Sequence, residues 1–133
     1  MSQENVELVR AAYEARRRGE DTWLEALDPE IEWDMSAYPG LDVPVRGRGR
    51  ENARQWSDRY RRAWIDYEEV PKQLIDAGTD VVVVVHETSR ARGTEMLIER
   101  DLLFVWTMRE GRAVRVRVYR TKQEALEAAG AGE

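Results

Sequence analysis

The sequence predicts a single α+β domain, residues 1–133, in which helices pack on one face of a curved antiparallel sheet. The main observation is the stretch from residue 79 to 121. Three runs rich in β-branched and aromatic residues follow one another there without a proline. Arg109-Glu110-Gly111 separates the last two runs and predicts a short hairpin turn. The N-terminal half carries apolar residues at helical spacing, and those helices cover the apolar face of the sheet.

The chain begins with a predicted amphipathic helix from Gln3 to Arg18. Val6, Val9 and Tyr13 recur at the spacing that places them on one helical face. Gly19 follows and favours the end of the helix, because glycine readily adopts the left-handed conformation of a C-terminal cap.

Short elements follow this helix. Asp21 is placed to cap a second helix, Thr22 to Leu27. Asp28-Pro29-Glu30 predicts a break, and Ile31 to Met35 alternates as a short strand would. Ser36 to Gly49 then predicts a loop whose length is typical of a functional or mobile segment.

A third helix is predicted from Arg50 to Trp64, where Ala53, Trp56 and Tyr60 share one face. A strand over Asp66 to Asp76 then leads into the main sheet.

The main sheet comprises predicted strands at residues 80–88, 95–108 and 112–120. The last alternates, with Val114, Val116 and Val118 on one face and Arg115, Arg117 and Tyr119 on the other. Thr121 and Glu124 form a capping box that opens a terminal helix through Ala129. The predicted order of elements is therefore ααβαββββα.

Composition narrows the class of protein. The net charge of −5 disfavours general nucleic-acid binding, and the absence of cysteine excludes thiolate catalysis, thiolate metal sites and disulfides. No apolar run approaches the about 20 residues of a membrane span, and the N-terminus has no apolar signal segment. We expect a cytoplasmic protein with no membrane or nucleic-acid partner.

The order of elements and several stretches together resemble the SnoaL-like branch of the NTF2-like superfamily. The stretches are Asn5-Val-Glu-Leu-Val-Arg-Ala-Ala-Tyr-Glu-Ala, Leu27-Asp-Pro-Glu-Ile-Glu-Trp, Leu74-Ile-Asp-Ala-Gly, Val105-Trp-Thr-Met-Arg-Glu-Gly and Val114-Arg-Val-Arg-Val-Tyr. The resemblance implies a cystatin-like cone, in which a bent sheet wraps the N-terminal helix and leaves a pocket at one end. It also implies a homodimer formed through the sheet. The family includes isomerases, polyketide cyclases, epoxide hydrolases and non-catalytic members, so the fold leaves the function open.

The resemblance to the ketosteroid isomerase branch implies a catalytic pair. Asp34 stands where that branch has its general base, and Tyr13 stands where it has an oxyanion donor. A carboxylate at an apolar pocket mouth is expected to have a raised pKa. The alternative is that Asp34 caps the following loop by accepting from backbone N–H groups. Leu103 stands where the branch has a protonated carboxylic acid, which argues against steroid isomerisation.

Aromatic side chains are the candidate lining of the pocket. The predicted ligand-binding residues are Trp23, Trp33, Tyr38, Trp56, Tyr60, Trp106 and Tyr119. Pockets for small organic molecules are lined mainly by apolar and aromatic groups. Ordinary core packing is the alternative for each of them.

His86 is the only histidine and a candidate second acid/base. In a regular strand it shares a face with Val82 and Val84, which would direct it toward the pocket or the core. A structural role for His86 is the alternative. A single histidine excludes a multi-histidine metal site, and no metal or cofactor is expected.

Glu99-Arg100-Asp101 invites comparison with the aspartate–arginine–aspartate set of epoxide hydrolases in this superfamily. Adjacent strand residues face opposite ways, so Arg100 and Asp101 cannot share one site. Glu99 and Asp101 do share a face. They could form a carboxylate pair for hydrolysis, or they could belong to a solvated or dimer-facing surface.

The arginines between residues 46 and 62 indicate either an anionic ligand or a solvated helix face paired with Glu51 and Asp58. The sequence as a whole favours a protein that binds a small apolar molecule, with cofactor-independent isomerisation or cyclisation by proton transfer as its chemistry. A non-catalytic binding protein or dimeric scaffold is the competing interpretation.

Overall fold

A computed structural model describes residues 2–37, 46–91, 93 and 96–130. The helices are α1 (Ser2–Arg17), α2 (Arg50–Arg62) and α3 (Lys122–Ala128), with a short 3₁₀ helix at Asp21–Ala26. The strands are β1 (Leu27–Asp34), β2 (Arg46–Arg48), β3 (Trp64–Ala77), β4 (Asp80–Ala91), β5 (Leu97–Arg109) and β6 (Arg112–Tyr119). Within these described residues no helix is long and apolar enough to cross a membrane.

The strands form one six-stranded sheet in the order β2-β1-β6-β5-β4-β3. All neighbours are antiparallel except β1 and β6, which run parallel. The predicted antiparallel sheet therefore contains one parallel pair, β1 with β6. Between β1 and β6 the chain forms α2 and four strands, β2 to β5. β6 can then run beside β1 in the same direction, because parallel neighbours require a long connection.

β1 begins at Leu27, so the predicted break at residues 28–30 lies within a strand. The pairing with β6 shifts register between Leu27 and Glu32, and the pairing with β2 involves only residues 32–34. Pro29 therefore lies where β1 has no described ladder partner, and its missing N–H removes no sheet hydrogen bond. β2 itself is three residues long and falls in the segment that the sequence predicts as loop.

The two faces of the sheet differ. The inner face packs under α1 and α2 and carries the main core, to which Val81, Val83 and Val85 contribute. The outer face has a second apolar cluster covered by Ala125 of α3. The prediction that all helices lie on one face is wrong for α3, because the odd and even positions of β4 are both valines and each face needs a cover.

An irregularity in β6 changes the predicted alternation. The pairing with β5 shifts between Thr107 and Met108, so Ala113 joins Val116 and Val118 in the main core. Val114, predicted on that face, is only partly buried and lies outside that core. A β-bulge adds one residue to a strand, so the side chains beyond it point to the opposite face of the sheet. Simple alternation in the sequence does not show where such a bulge lies. Thr121 caps α3 as predicted, because its side chain accepts a hydrogen bond from the backbone N–H of Glu124.

Gly47 of β2 allows the short strand to lie directly on the indole of Trp33. A Cβ atom added at Gly47 would lie 2.4 Å from the ring of Trp33 and 1.8 Å from Oδ1 of Asn52. These distances are far below van der Waals contact, so the position requires glycine for close approach. The contact fixes the back of the Trp33 ring, whose other surroundings form the site described below.

We expect Gly47→Ala to lower the free energy of unfolding by about 1–3 kcal/mol, because overpacking against a buried ring forces it off its rotamer. Denaturant unfolding measures the loss. The same substitution is also made in an Asn52→Ala protein. That protein lacks the Asn52 oxygen, so the added methyl group of Gly47→Ala would clash only with Trp33. An Asn52→Ala protein that tolerates Gly47→Ala without loss would show that the ring is not held by this contact.

Candidate ligand cavity

A cavity lies between the helices and the inner face of the sheet. It contains about 660 Å³ of space free of atoms, part of it open to solvent, of which about 80 Å³ admits the centres of water molecules. It is lined by Tyr13, Arg16, Trp23, Leu27, Ile31, Trp33, Met35, Ala53, Trp56, Ser57, Tyr60, Tyr67, Glu69, Phe104, Trp106 and Val116. The space open to water centres, about 80 Å³, exceeds the roughly 10–15 Å³ that one water molecule needs, and the lining is mainly apolar with a few polar groups.

Aromatic rings form most of the wall. Trp56 and Tyr60 lie one turn apart on α2 and stack with 5.4 Å between ring centroids and 7° between planes. Trp33 of β1 lies 5.6 Å from Trp56 at a tilt of 45°. Rings in such offset contacts hold one another rigidly and present flat apolar surfaces.

Tyr13 and Trp106 close the wall between α1 and β5. Their ring centroids lie 5.5 Å apart, and Nε1 of Trp106 donates to the hydroxyl oxygen of Tyr13 over 3.1 Å. Burial, followed by the nearby charge of Glu69, raises the pKa of Tyr13 above its ordinary value. The Tyr13 hydroxyl therefore keeps its proton and can donate it.

A buried ion pair forms the polar side of the cavity. Arg16 of α1 donates from Nε to Oε1 of Glu69 over 2.5 Å and from Nη1 to Oγ of Ser57 over 3.0 Å. Its guanidinium also lies 4.4 Å from the ring centroid of Trp23. Only 13% of the Arg16 side chain and 6% of the Glu69 side chain are exposed. These contacts fix the position and orientation of the guanidinium.

Glu69 stays ionised despite its burial. Desolvation alone would raise its pKa, but the charge and hydrogen bond of Arg16, the charge of Arg61 and the hydrogen bond from Tyr67 outweigh it. The pKa of Glu69 is therefore below its ordinary value. The carboxylate accepts from Arg16 and Arg61 at Oε1 and from Tyr67 at Oε2.

Behind the ion pair lies a second buried carboxylate, Glu87, which is 1% exposed. Its oxygens accept from Nε of Arg100 over 2.8 Å and from the hydroxyl of Tyr60 over 3.0 Å. The Tyr67 hydroxyl lies within hydrogen-bond distance of both Glu69 and Glu87. The network thus connects α1, α2, β3, β4 and β5 on one side of the cavity.

Comparisons with known proteins agree with this architecture. An NTF2-like protein of unknown function from Burkholderia pseudomallei superimposes with a TM-score of 0.78, at 21% identity over 93% of this chain and 95% of that chain. TerC, co-crystallised with polyporic acid, gives 0.77 at 20% identity over 96% and 98% of the two chains. A SnoaL-like polyketide cyclase homologue from Jannaschia gives 0.73 at 19% identity over 96% and 91%. This chain has the NTF2-like fold. No protein-family model matches the sequence, and neither does any curated protein.

Six of the sequence-predicted site residues line the cavity of this NTF2-like domain. They are Tyr13, Trp23, Trp33, Trp56, Tyr60 and Trp106. Their roles in ligand binding remain predictions, since the structure holds no ligand. Tyr38 lies outside the described residues.

Asp34 does not line the cavity. Trp33 and Met35 on either side of it face inward, so alternation along β1 turns Asp34 away. Its Oδ1 accepts from the backbone N–H of Ser36 over 2.9 Å, which is the loop-capping alternative. Partial burial raises its pKa, but the hydrogen bonds of Ser36 and the charges of Arg46 and Arg117 outweigh burial. The pKa of Asp34 is therefore lowered, contrary to the expectation of a raised one.

His86 and Tyr119 lie on the outer face of the sheet. His86 shares that face with Val82 and Val84, as predicted, but the face is covered by α3 and does not face the cavity. Its Nδ1 lies 2.9 Å from Oδ1 of Asp101. Tyr119 packs against the same outer cluster. The structure therefore brings neither side chain to Tyr13.

The stretch Glu99-Arg100-Asp101 is divided between the faces, as alternation predicts. Arg100 faces inward to Glu87, whereas Asp101 pairs with Lys72 and His86 on the outer face. The side chain of Glu99 is 59% exposed, and that of Asp101 is 39% exposed. Neither carboxylate lines the cavity described above. Within the described residues no group of three or more histidine or acidic side chains could hold a metal ion.

Sequence reasoning did not identify the polar residues of the cavity, Arg16, Ser57, Tyr67 and Glu69, or the buried Glu87 behind them. It considered Arg100 but not its contact with Glu87. A signal for Glu87 was present, because it continues the inward positions Val81, Val83 and Val85 of β4. Glu69 could not be found this way, since β3 shifts register twice and its alternation is broken. The arginines of α2 include the predicted surface pairs, with Arg54 bound to Glu51 and Asp58.

We expect Glu69→Gln to lower the free energy of unfolding by about 3–5 kcal/mol near neutral pH, because it leaves Arg16 buried without its counter-charge. The folded-state pKa of Glu69 is lowered, so its stabilisation is present above the unfolded pKa of about 4.3. That stabilisation is lost as the pH falls through the lower folded-state pKa. The difference in free energy of unfolding between wild type and Glu69→Gln should therefore become smaller at acidic pH.

Glu68→Gln is the matched control, since Glu68 is the adjacent residue and is exposed. Chemical denaturation of all three proteins across the acidic range measures the difference. Equal stability of Glu68→Gln and Glu69→Gln at neutral pH would contradict this account of the ion pair.

Proposed function

We propose that this NTF2-like protein binds a small organic molecule with a flat, largely apolar body in the cavity between α1, α2 and the inner face of the sheet. The observation that carries the proposal is the aromatic wall. Four of the five tryptophans line this one cavity, together with Tyr13 and Tyr60. Rings that only filled a core would leave no such space, because protein interiors pack to crystal density.

Two further observations favour binding over a purely structural scaffold. The apolar centre of the outer face is covered by α3, and His86, Lys72 and Asp101 make the neighbouring surface polar. A fold neighbour, TerC, was co-crystallised with polyporic acid, which agrees with small-molecule binding in this fold. The predicted homodimer through the sheet remains a prediction.

A screen of flat aromatic ketones, quinones and acids by thermal unfolding and tryptophan fluorescence tests the proposal. A ligand at about 100 times its dissociation constant adds about 2.7 kcal/mol to the free energy of unfolding. We expect at least one chemical class to raise the melting temperature and to change tryptophan emission, because bound ligand would contact the lining indoles.

Ala53→Leu is the decisive variant, because Ala53 lines the cavity and leucine would occupy part of its volume. We expect ligand-induced stabilisation to fall sharply in Ala53→Leu. It should persist in Ala11→Leu, an identical change at an exposed position of α1, and in Asp34→Asn, which alters a loop cap. Equal loss of binding in Ala11→Leu and Ala53→Leu would argue against this cavity as the site.

Proton-transfer catalysis, of the isomerase or cyclase kind, is a second candidate. Glu69 favours it, as the one carboxylate among the lining side chains, with the protonated Tyr13 hydroxyl on the same cavity. An ionised carboxylate can accept a carbon-bound proton while a hydroxyl donor stabilises the developing oxyanion. Solvent-deuterium incorporation into a bound ketone measures this reaction. Exchange that persists unchanged in Glu69→Gln would exclude Glu69 as the base.

A further inference from the structure

Arg16 is held at the cavity wall with part of its guanidinium uncommitted. Nε binds Glu69 and Nη1 binds Ser57, whereas Nη2 has no hydrogen-bond acceptor among the described residues. The charge of Glu69 raises the pKa of Arg16, against the opposing effect of burial, so the group stays cationic. A fixed, desolvated guanidinium with a free N–H pair is suited to bind an anionic oxygen.

The neighbouring polar groups are also donors. Tyr13 accepts from Trp106, and its own hydroxyl proton has no acceptor within the described part of the chain. The same holds for the hydroxyl proton of Ser57, whose oxygen accepts from Arg16. Buried donors without acceptors cost free energy, which an acceptor group of a ligand would recover.

The acceptor side of the cavity is already occupied. Glu69 is the one carboxylate among the lining residues, and it accepts from Arg16, Arg61 and Tyr67. A ligand that brings N–H or ammonium donors would compete for Glu69 with these three donors, two of which are cationic. A ligand that brings an anionic oxygen would add bonds without breaking any.

Building on the proposed function, we propose that the cavity selects ligands whose flat apolar body carries an anionic oxygen, from a carboxylate or an ionised enol, that binds Nη2 of Arg16. The net charge of the chain is −5, so long-range attraction does not favour anions. Selection therefore depends on this one local cation and on the donors beside it. The aromatic wall contacts the apolar body of the ligand, and Arg16 favours ligands with a negative charge at the polar end.

Calorimetric binding of naphthoate, naphthamide and naphthylmethylamine tests the charge preference, because the three share a ring system and differ in charge. A charge-assisted hydrogen bond contributes roughly ten- to a hundredfold in affinity. We expect naphthoate to bind at least tenfold more tightly than naphthamide, and the amine to bind most weakly. Binding of hydroxynaphthoquinone, measured above and below its own pKa, tests separately whether an ionised enol can supply the anionic oxygen.

The double variant Arg16→Gln/Glu69→Gln removes the cation and its counter-charge together, so neither is left buried without the other. Arg61, which also pairs with Glu69, is 33% exposed and remains accessible to water. We expect the preference for naphthoate over naphthamide to fall to about twofold or less in this variant, with naphthamide binding retained. Arg10→Gln is the matched control, because Arg10 is an exposed arginine of the same helix. It should keep the wild-type preference.

Equal affinity of naphthoate and naphthamide in the wild type would overturn this inference and leave the proposed function intact. A preference for naphthoate that survives in the double variant would also overturn it. Absence of binding by all these probes and by the wider screen would contradict both proposals. These three results are distinguishable from one another by calorimetry alone.

Discussion

The ion pair between Arg16 and Glu69 is the interaction on which the remainder of this site depends. It ties α1 to β3, and both side chains are largely buried. Buried ion pairs gain little net stability over apolar packing, but losing one partner is costly. The pair therefore fixes geometry more than it adds stability. In this domain the ion pair keeps a guanidinium at the edge of an aromatic cavity. Two apolar side chains at the same positions would only enlarge the hydrophobic core.

The same interaction explains why two glutamates occupy inward positions of the sheet. Glu69 and Glu87 lie opposite each other on β3 and β4, where like charges would repel. Arg16, Arg61 and Arg100 surround them, and Tyr67 reaches both. The arginines from three separate elements compensate the two carboxylates, and of the three Arg16 lines the cavity. His86 lies on the outer face beside Asp101, so this histidine in the same strand as Glu87 does not line the cavity.

Much of the fold follows from the sequence, because helical spacing and the β-branched runs are local signals. α1, α2, the three long strands and the cap at Thr121 all agree with those signals. The outer position of α3, the bulge beside Val114 and the parallel pairing of β1 depend on tertiary contacts. The aromatic wall was predictable because rings at helical spacing must pack together. The polar side was not, because Arg16 and Glu69 are 53 residues apart and meet only in the folded chain.

Nitrogen NMR of arginine-labelled protein titrated with naphthoate tests most directly the claim that Glu69 holds Arg16 in place while Nη2 remains free for a ligand. Arg16 is the guanidinium that lines the cavity, so its signals report on the polar end of any bound molecule. The account predicts that the Nη resonances of Arg16 shift with bound naphthoate. Its Nε–H should stay protected from exchange, because Glu69 continues to accept from it. Naphthoate that binds and perturbs the tryptophans but leaves every Arg16 resonance unchanged would contradict the account.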